Sequence, residues 1–499
     1  MAYGRRRRAT DYHYLVIGAG TAGSVLAARL SENPSKRVLL LEAGPADGPE
    51  AMADPTAFLS LMGSNVDWAD HTVAQADSDG AVHPWPRGKV LGGSSGINGS
   101  IHLRGHRSSY DRWETLGAEG WNYHTLLPFL KRTENAPGRD RAVRGCTGPM
   151  VIEQHPEPNL LSRAWFEAAL EAGHLMSSDG NGEVTEGVSW TDSNIVNGSR
   201  LSAADAYLRP VLDRPNLTVI TNAHVSKLVF EGMRCRGAEY SCAGLDKYVE
   251  VGDEVVLAAG TIGSAQLLML SGIGRAEHLS AHGIEVRLDA PDVGRNLHDH
   301  PMCWITYSGG DPLPWPNGIP HILLRSSASR DPDLQIGFSP VVFGPRWTIR
   351  PESGFSVTFS LMSPDSRGSV QLSGRGPQDP LLIDPAYFAV AEDLDLMITG
   401  MRHAHQIASA KVLSRWRGPV LAPDIDMEDD AACRAYIRAT ASTYFHPVGT
   451  CRMGSGPLAV VDSHLRVRGV EGLRVADASV MPTIISANTN ATVLAIADV

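Results

Sequence analysis

Short apolar runs recur along this chain where strands of a buried sheet are expected, separated by helical patterns and glycine-rich turns. Tyr14–Ile17 is the first, suited to a parallel strand covered on both faces. A helical pattern follows over Ser24–Ser31, then a second apolar run at Val38–Leu41. Strand chemistry returns at Leu217–Thr221, Lys227–Phe230, Tyr248–Val251 and Glu254–Leu257. The last of these runs through a glycine-rich turn into an apolar helix at Ala265–Leu270. Beyond residue 302 the pattern changes. Alternating segments at Leu334–Phe338, Phe355–Leu361 and Ser369–Leu372 predict an antiparallel sheet, with helices over about 391–411 and 427–440.

The intervening stretches carry weaker patterns. Residues 45–85 lack periodicity and read as a long surface connection, a kind of segment that is often functional. Tyr110–Arg132 reads as two helical pieces divided at Gly117 and Gly120. Pro128 requires the second piece to begin close to it, because proline lacks the donor an inner turn needs. Leu161–Ala172 predicts a helix, and residues 176–200 read as loop. The chain closes on a helix starting near Ala491, which Asn488 or Asn490 would cap. Trp304, Trp315 and Trp347 are expected to pack in the core.

The turn after the first strand carries the most chemistry. Gly18, Gly20 and Gly23 give the G-x-G-x-x-G spacing between strand and helix. Those positions allow a tight turn, close backbone approach to a pyrophosphate, and close helix–strand packing. The helix that follows turns free N–H groups and a positive end toward phosphates. Glu42 ends the second strand, where a carboxylate accepts hydrogen bonds from a ribose diol. Strand, turn, helix, strand and acid in this order predict a dinucleotide site. The fingerprint alone does not separate FAD from NAD. A second small-residue corner, Gly92-Gly93-Ser94-Ser95, could lie against a flat ring or a phosphate, or be a tight turn. His102, inside the same stretch, reads as a satisfied core histidine.

Composition narrows the class. The 499 residues suggest about two to four domains. The formal net charge of −11 argues against nucleic acid as a partner. Arg5–Arg8 reads as part of a disordered basic tail over residues 1–10, because no apolar run follows as a secretory signal needs. No apolar stretch reaches the ~18–20 residues of a membrane span. The six cysteines form neither a C-x-x-C pair nor a cluster with histidines, which points to a reducing, cytoplasmic setting. His298, Asp299 and His300 are crowded side chains able to bind metal, but no distant ligand accompanies them, so no metal is expected.

Taken together, Gly18–Gly23 with Glu42, Gly88–Asn98, Gly260–Gly274, Gly294–His300, His446-Pro-Val-Gly-Thr450 and Asp477-Ala-Ser with Asn488-Thr-Asn490 resemble the glucose–methanol–choline oxidoreductase family over nearly the whole chain. The resemblance implies an α/β plus α+β fold. A Rossmann-type FAD-binding domain (11–155, 205–301 and 442–499) interleaves with a substrate domain on an antiparallel sheet (156–204 and 302–441). It implies a FAD site built from Gly18, Gly20, Thr21, Ala22, Gly23, Glu42, Ala43, Arg87, Gly92, Gly93, Ser94, Asn98, Gly99, Ser100 and Ile101. Val225, Ala259, Gly260, Asp477, Ala478, Asn488, Asn490, Ala491 and Thr492 complete it. Ile97 stands where some members carry a histidine linked to the flavin, so the FAD is expected to be non-covalent. His102 departs from the family pattern in a way that could alter the flavin pocket.

The resemblance also implies that His446 is the base and Asn490 its hydrogen-bonding partner in oxidising an alcohol to an aldehyde by hydride transfer to flavin N5. A histidine near neutral pH suits that role. Oxygen or a quinone-type acceptor would reoxidise the flavin; the motifs do not say which. A small neutral alcohol, aromatic or furan-type, is favoured over choline, because no acidic residue stands out as a partner for a quaternary ammonium. A choline-type dehydrogenase, a flavin-dependent hydroxynitrile lyase without net redox, a photodecarboxylase and a flavoprotein without activity are the alternatives. The intact His446 and Asn490 count against the last.

Overall fold

The computed structural model describes residues 11–154, 158–309, 318–326, 331–344, 348 and 353–499. The expected basic tail, Trp315 and Trp347 lie outside the described residues.

The N-terminal apolar runs become a seven-stranded sheet. Leu217–Ile220, Val38–Leu41, Tyr12–Ile17, Leu245–Leu257 and Leu473–Val475 lie parallel, in that order. Val16 pairs with both Leu40 and Val256, and Leu15, Val16, Leu39 and Leu40 are almost wholly buried. This is the doubly covered parallel core that continuous apolar runs require. Ala223–Glu231 and Arg234–Cys242 extend it as an antiparallel meander.

A second seven-stranded sheet is antiparallel throughout. Val420–Ala422, Pro301–Ser308, Gly354–Leu361, Leu334–Ser339, Pro320–Leu324 and Gly187–Trp190 follow one another across it, and Ser442–Thr443 adds to Pro301–Ser308. Gly187–Trp190 corrects the reading of 176–200 as loop; four residues are too few for alternation to show. Helices Ala391–Ala408 and Leu160–Glu171 cover one side of this sheet. There Trp165 meets Phe338 and the Tyr307 hydroxyl meets His405 Nδ1 at 3.2 Å.

Two other elements differ from expectation. The helix Tyr123–Thr133 begins five residues before Pro128, so the proline sits inside it. Its exposed position leaves the unpaired His124 carbonyl open to water. Residues 45–85 contain the 3-10 turn Pro55–Leu61 and the paired strands Asp70–His71 and Pro84–Trp85, with Trp85 buried.

Candidate active site

A cavity of about 390 Å³ runs from the first glycine turn to the antiparallel sheet. At its turn end Gly18 has φ +95, and a Cβ there would lie 2.6 Å from the Ala258 carbonyl oxygen. A Cβ on Gly23 would lie 1.8 Å from the Gly18 oxygen, and one on Gly93 2.7 Å from Gly20 Cα. The two glycine corners therefore face each other with bare backbone. The helix Thr21–Leu30 opens there with no side chain capping its N–H groups. That is an anion cradle.

Most of the expected cofactor residues line this cavity. Gly18, Gly20, Thr21, Ala22, Glu42, Ala43, Arg87, Gly93, Ser94, Asn98, Gly99, Ser100 and Ile101 do so from the N-terminal part. Val225, Ala259, Gly260, Asp477, Ala478, Asn488 and Asn490 do so from the rest. Four do not, and each has a structural task instead. Gly23 lets the helix pack on the turn, and the Gly92 N–H donates to the Ala19 carbonyl at 2.8 Å. Ala491 and Thr492 are buried in the last helix, where the Thr492 hydroxyl pairs with Tyr110 at 2.8 Å.

Several lining groups also brace the cradle. Glu42 accepts the Ala19 N–H at 2.7 Å and the Gly44 N–H at 2.9 Å, and burial pushes its carboxyl up. Asp477 accepts the Gly260 N–H at 2.9 Å and the Ser264 hydroxyl at 2.5 Å. Arg87 pairs with Asp70 and lies over Trp68. Asn490 Nδ2 and the Ser100 hydroxyl are buried without any partner. Their unmet hydrogen bonds, the glycine cradle and the uncapped helix fit a dinucleotide carrying a polar flat ring.

His446 stands on the same cavity, in a turn held tightly. Its N–H donates to Asp299 Oδ1 at 2.8 Å, and the Tyr387 hydroxyl donates to the other Asp299 oxygen. Phe445 before it has φ +66, with its N–H on the Thr443 hydroxyl at 2.7 Å. The Tyr444 ring packs 4.5 Å from the imidazole.

The ring nitrogens of His446 have different neighbours. Nδ1 is 2.9 Å from His300 Nδ1, and Nε2 is 3.0 Å from Asn488 Nδ2. His300 Nε2 is 3.0 Å from the Ile485 carbonyl, which only accepts, so it carries the proton. Burial lowers the His300 pKa to about 3, which keeps the ring neutral and leaves its Nδ1 as an acceptor. His446 Nδ1 must then donate to it. The lone pair of His446 sits on Nε2, facing Asn488. Burial, with His300 beside it, holds His446 well below the usual histidine range.

This arrangement corrects two expectations. The partner of His446 is Asn488, not Asn490. Asn490 is the first residue of the last helix, and its Oδ1 accepts from the Thr21 hydroxyl at 2.8 Å. Thr489 is that helix's N-cap, so neither asparagine caps it. His298, Asp299 and His300 do not converge: His298 Nδ1 faces the Asn296 carbonyl, while the other two hold His446. Among the described residues no group of three or more His, Cys, Asp or Glu is placed to hold a metal. His102 does not line the cavity; its Nε2 lies 3.4 Å from Glu134 in a buried cluster with Arg104 and Arg144. Its Nδ1 has no partner, so it is only half satisfied.

The sequence reading missed Phe58, Met62 and Trp68 from the 45–85 segment, Phe343 from the connection after Leu334–Ser339, and His321, Gln335, Ser339 and Thr358 from the antiparallel sheet. For the latter the one signal was polar residues alternating along otherwise apolar strands.

A sequence model described as GMC oxidoreductase matches residues 12–302, and its C-terminal counterpart matches residues 364–497. The chain is 36% identical to an alcohol dehydrogenase [acceptor] of Pseudomonas putida, over 98% of this chain and 94% of that one. It is 37% identical to the mitochondrial choline dehydrogenase of Homo sapiens, over 98% and 89%. The crystal structure of pyridoxine 4-oxidase from Mesorbium loti superposes with a TM-score of 0.93 at 34% identity, covering 98% of each chain.

Proposed function

This chain belongs to the GMC oxidoreductase family of FAD-dependent enzymes, and from that premise we propose that it oxidises a small neutral primary or activated alcohol to the aldehyde. The observation that carries the reading is that His446, with its lone pair on Nε2 beside Asn488, lines the cavity that holds the glycine cradle. Glycine backbone at Gly18, Gly20 and Gly93 would hold the dinucleotide's pyrophosphate, and Glu42 would take the ribose. The start of the helix Asn490–Asp498 would face the ring. FAD bound there supplies the hydride acceptor. Ile97, in place of a linking histidine, supports non-covalent binding.

Asn488 Nδ2 rests on the His446 Nε2 lone pair at 3.0 Å; when substrate enters, its N–H turns to the alcohol oxygen, which orients the alcohol and frees the lone pair. His446 Nε2 takes the hydroxyl proton as hydride leaves the carbinol carbon, so alcohol becomes aldehyde. The imidazolium formed keeps its Nδ1–H on neutral His300, which the Ile485 carbonyl holds in one tautomer. Asp299 fixes the backbone at His446 and so its aim.

The only carboxylates among the described lining residues are Glu42 and Asp477, both engaged with backbone N–H groups at the cradle end. This supports a neutral substrate over a quaternary ammonium. The six free thiols support a reducing compartment such as the cytoplasm. Among the described residues no helix is long and apolar enough to cross a membrane.

Anaerobic addition of primary alcohols to the purified flavoprotein tests the reaction. Bleaching of the flavin band is expected, with aryl alcohols outpacing choline, and admission of air then distinguishes oxygen from a quinone-type acceptor. A flavin band that persists with every alcohol overturns the oxidation, and turnover of choline alone overturns the neutral substrate.

A further inference from the structure

The antiparallel sheet is buried on both sides, yet its two sides differ in chemistry. Tyr307, Phe338, Phe355 and Phe359 belong to the side packed on helices. The alternate positions Gln335, Gly337 and Ser339, with Thr358 and His321 on the neighbouring strands, line the cavity that contains His446. Both sides of such a sheet are expected to be apolar unless the polar groups find partners.

Here they do not. Gln335 is 3% exposed and its Oε1 has no hydrogen-bond partner. Ser339 is 8% exposed and its hydroxyl has none either. Buried polar atoms left unmet in this way call for a ligand or an ordered water. Gly337 lies between them in the strand and presents no side chain. A Cβ there would sit 2.5 Å from the Thr358 hydroxyl, so the glycine keeps a slot open. His321 is tied to the Thr191 hydroxyl at 2.9 Å, and burial lowers its pKa to about 4, so the floor is uncharged. The same cavity is also lined by Phe58, Met62, Met302, Phe343 and Tyr444, of which Met302, Phe343 and Tyr444 pack together as one apolar cluster.

We propose that Gln335 and Ser339 form a second recognition pole for the substrate, remote from the reacting carbinol. The substrate class is then a flat, uncharged alcohol bearing a second hydrogen-bonding group, such as a ring hydroxyl, on its far side. This rests on the alcohol-oxidation reading above and deepens it. The apolar walls hold the ring, His446 and Asn488 take the carbinol, and Gln335 and Ser339 pair with the distal group over Gly337.

The test compares benzyl alcohol with 3- and 4-hydroxybenzyl alcohol on the holoenzyme and on Gln335→Leu and Ser339→Ala. The readouts are anaerobic flavin-reduction kinetics and, separately, affinity for the matching aldehydes read from perturbation of the flavin band. The wild type is expected to favour a hydroxylated alcohol and its aldehyde by about tenfold or more, as sites built around a hydrogen bond do. Gln335→Leu should reduce that preference to about threefold or less. Ser339→Ala, which removes one oxygen, keeps the test open if the larger change disturbs folding. No preference in the wild type, or a preference that survives both variants, overturns the pole. If no alcohol reduces the flavin, the oxidation reading falls, and the aldehyde affinities still decide whether the pole exists.

Discussion

His446 works only if its exposed nitrogen lacks a proton, and three residues decide that. The Ile485 carbonyl sets the tautomer of His300, His300 sets that of His446, and Asn488 meets the free lone pair. His446→Ala should slow flavin reduction by about 10²–10⁴-fold, the usual worth of a positioned base. Asn488→Leu should cost about tenfold or more, while Asn490→Ala should leave the pH profile of reduction unchanged; stopped-flow traces of the three separate them. Because the His446 pKa is depressed, the base stays neutral as pH falls through the ordinary histidine range. The acid limb of kcat/KM for reduction should therefore lie below 6.5, and a limb at or above it would refute this environment. The motif made His446 and both asparagines visible in the sequence. It could not tell which asparagine faces His446, because Asn488 precedes the N-cap and Asn490 begins the helix, and that turn is fixed by tertiary packing.

Among the elements, the first strand–turn–helix was the most legible, because bare backbone is needed there and glycine alone supplies it. Gly23→Ala puts a methyl group 1.8 Å from the Gly18 oxygen, which the helix can relieve only by sliding away from the turn. That variant should be recovered with little or no FAD, judged by the ratio of flavin to protein absorbance. Gly283→Ala, outside the cavity, is the control. Its φ is +68, but a Cβ there has nothing within 4 Å, so the cost is limited to backbone strain of about 1–2 kcal/mol. Full flavin content in Gly23→Ala would contradict the packing argument. Elements with weak local signals were harder to read. Gly187–Trp190 is a strand because Pro320–Leu324 pairs with it, not because of its own alternation. The helix Tyr123–Thr133 runs through Pro128 because Leu126, Leu130 and Thr133 bury its inner side, so tertiary packing overrides the local penalty.

At the scale of the whole molecule, two sheets enclose one long cavity, and the segments that meet across it are far apart in sequence. That is why the polar floor of the second sheet was not legible: a lone Gln or Ser in a strand reads as solvent-facing until the opposite sheet covers it. The same enclosure buries neutral imidazoles. His298, His300, His321 and His446 all have pKa values lowered by burial, His300 to about 3 and His321 to about 4. A depressed pKa means that the unfolded chain binds the proton first. The stability these histidines contribute is full above about 6.5 and is lost as pH falls toward their folded values. Each contributes up to about 1.4 kcal/mol per pH unit in that window. Asp299, pushed up to about 6, acts the other way, as do Glu42 and Asp477, both raised by burial: their folded forms take a proton more readily and favour folding as pH falls. Between pH 6.5 and 5 the four histidines outweigh these three carboxyls, and the Tm of the FAD-saturated protein should drop over that interval. His321→Gln should flatten the slope, since it removes one such group. A Tm that holds level or rises from pH 6.5 to 5 would mean that these imidazoles are not buried neutral and that the enclosure is open to water.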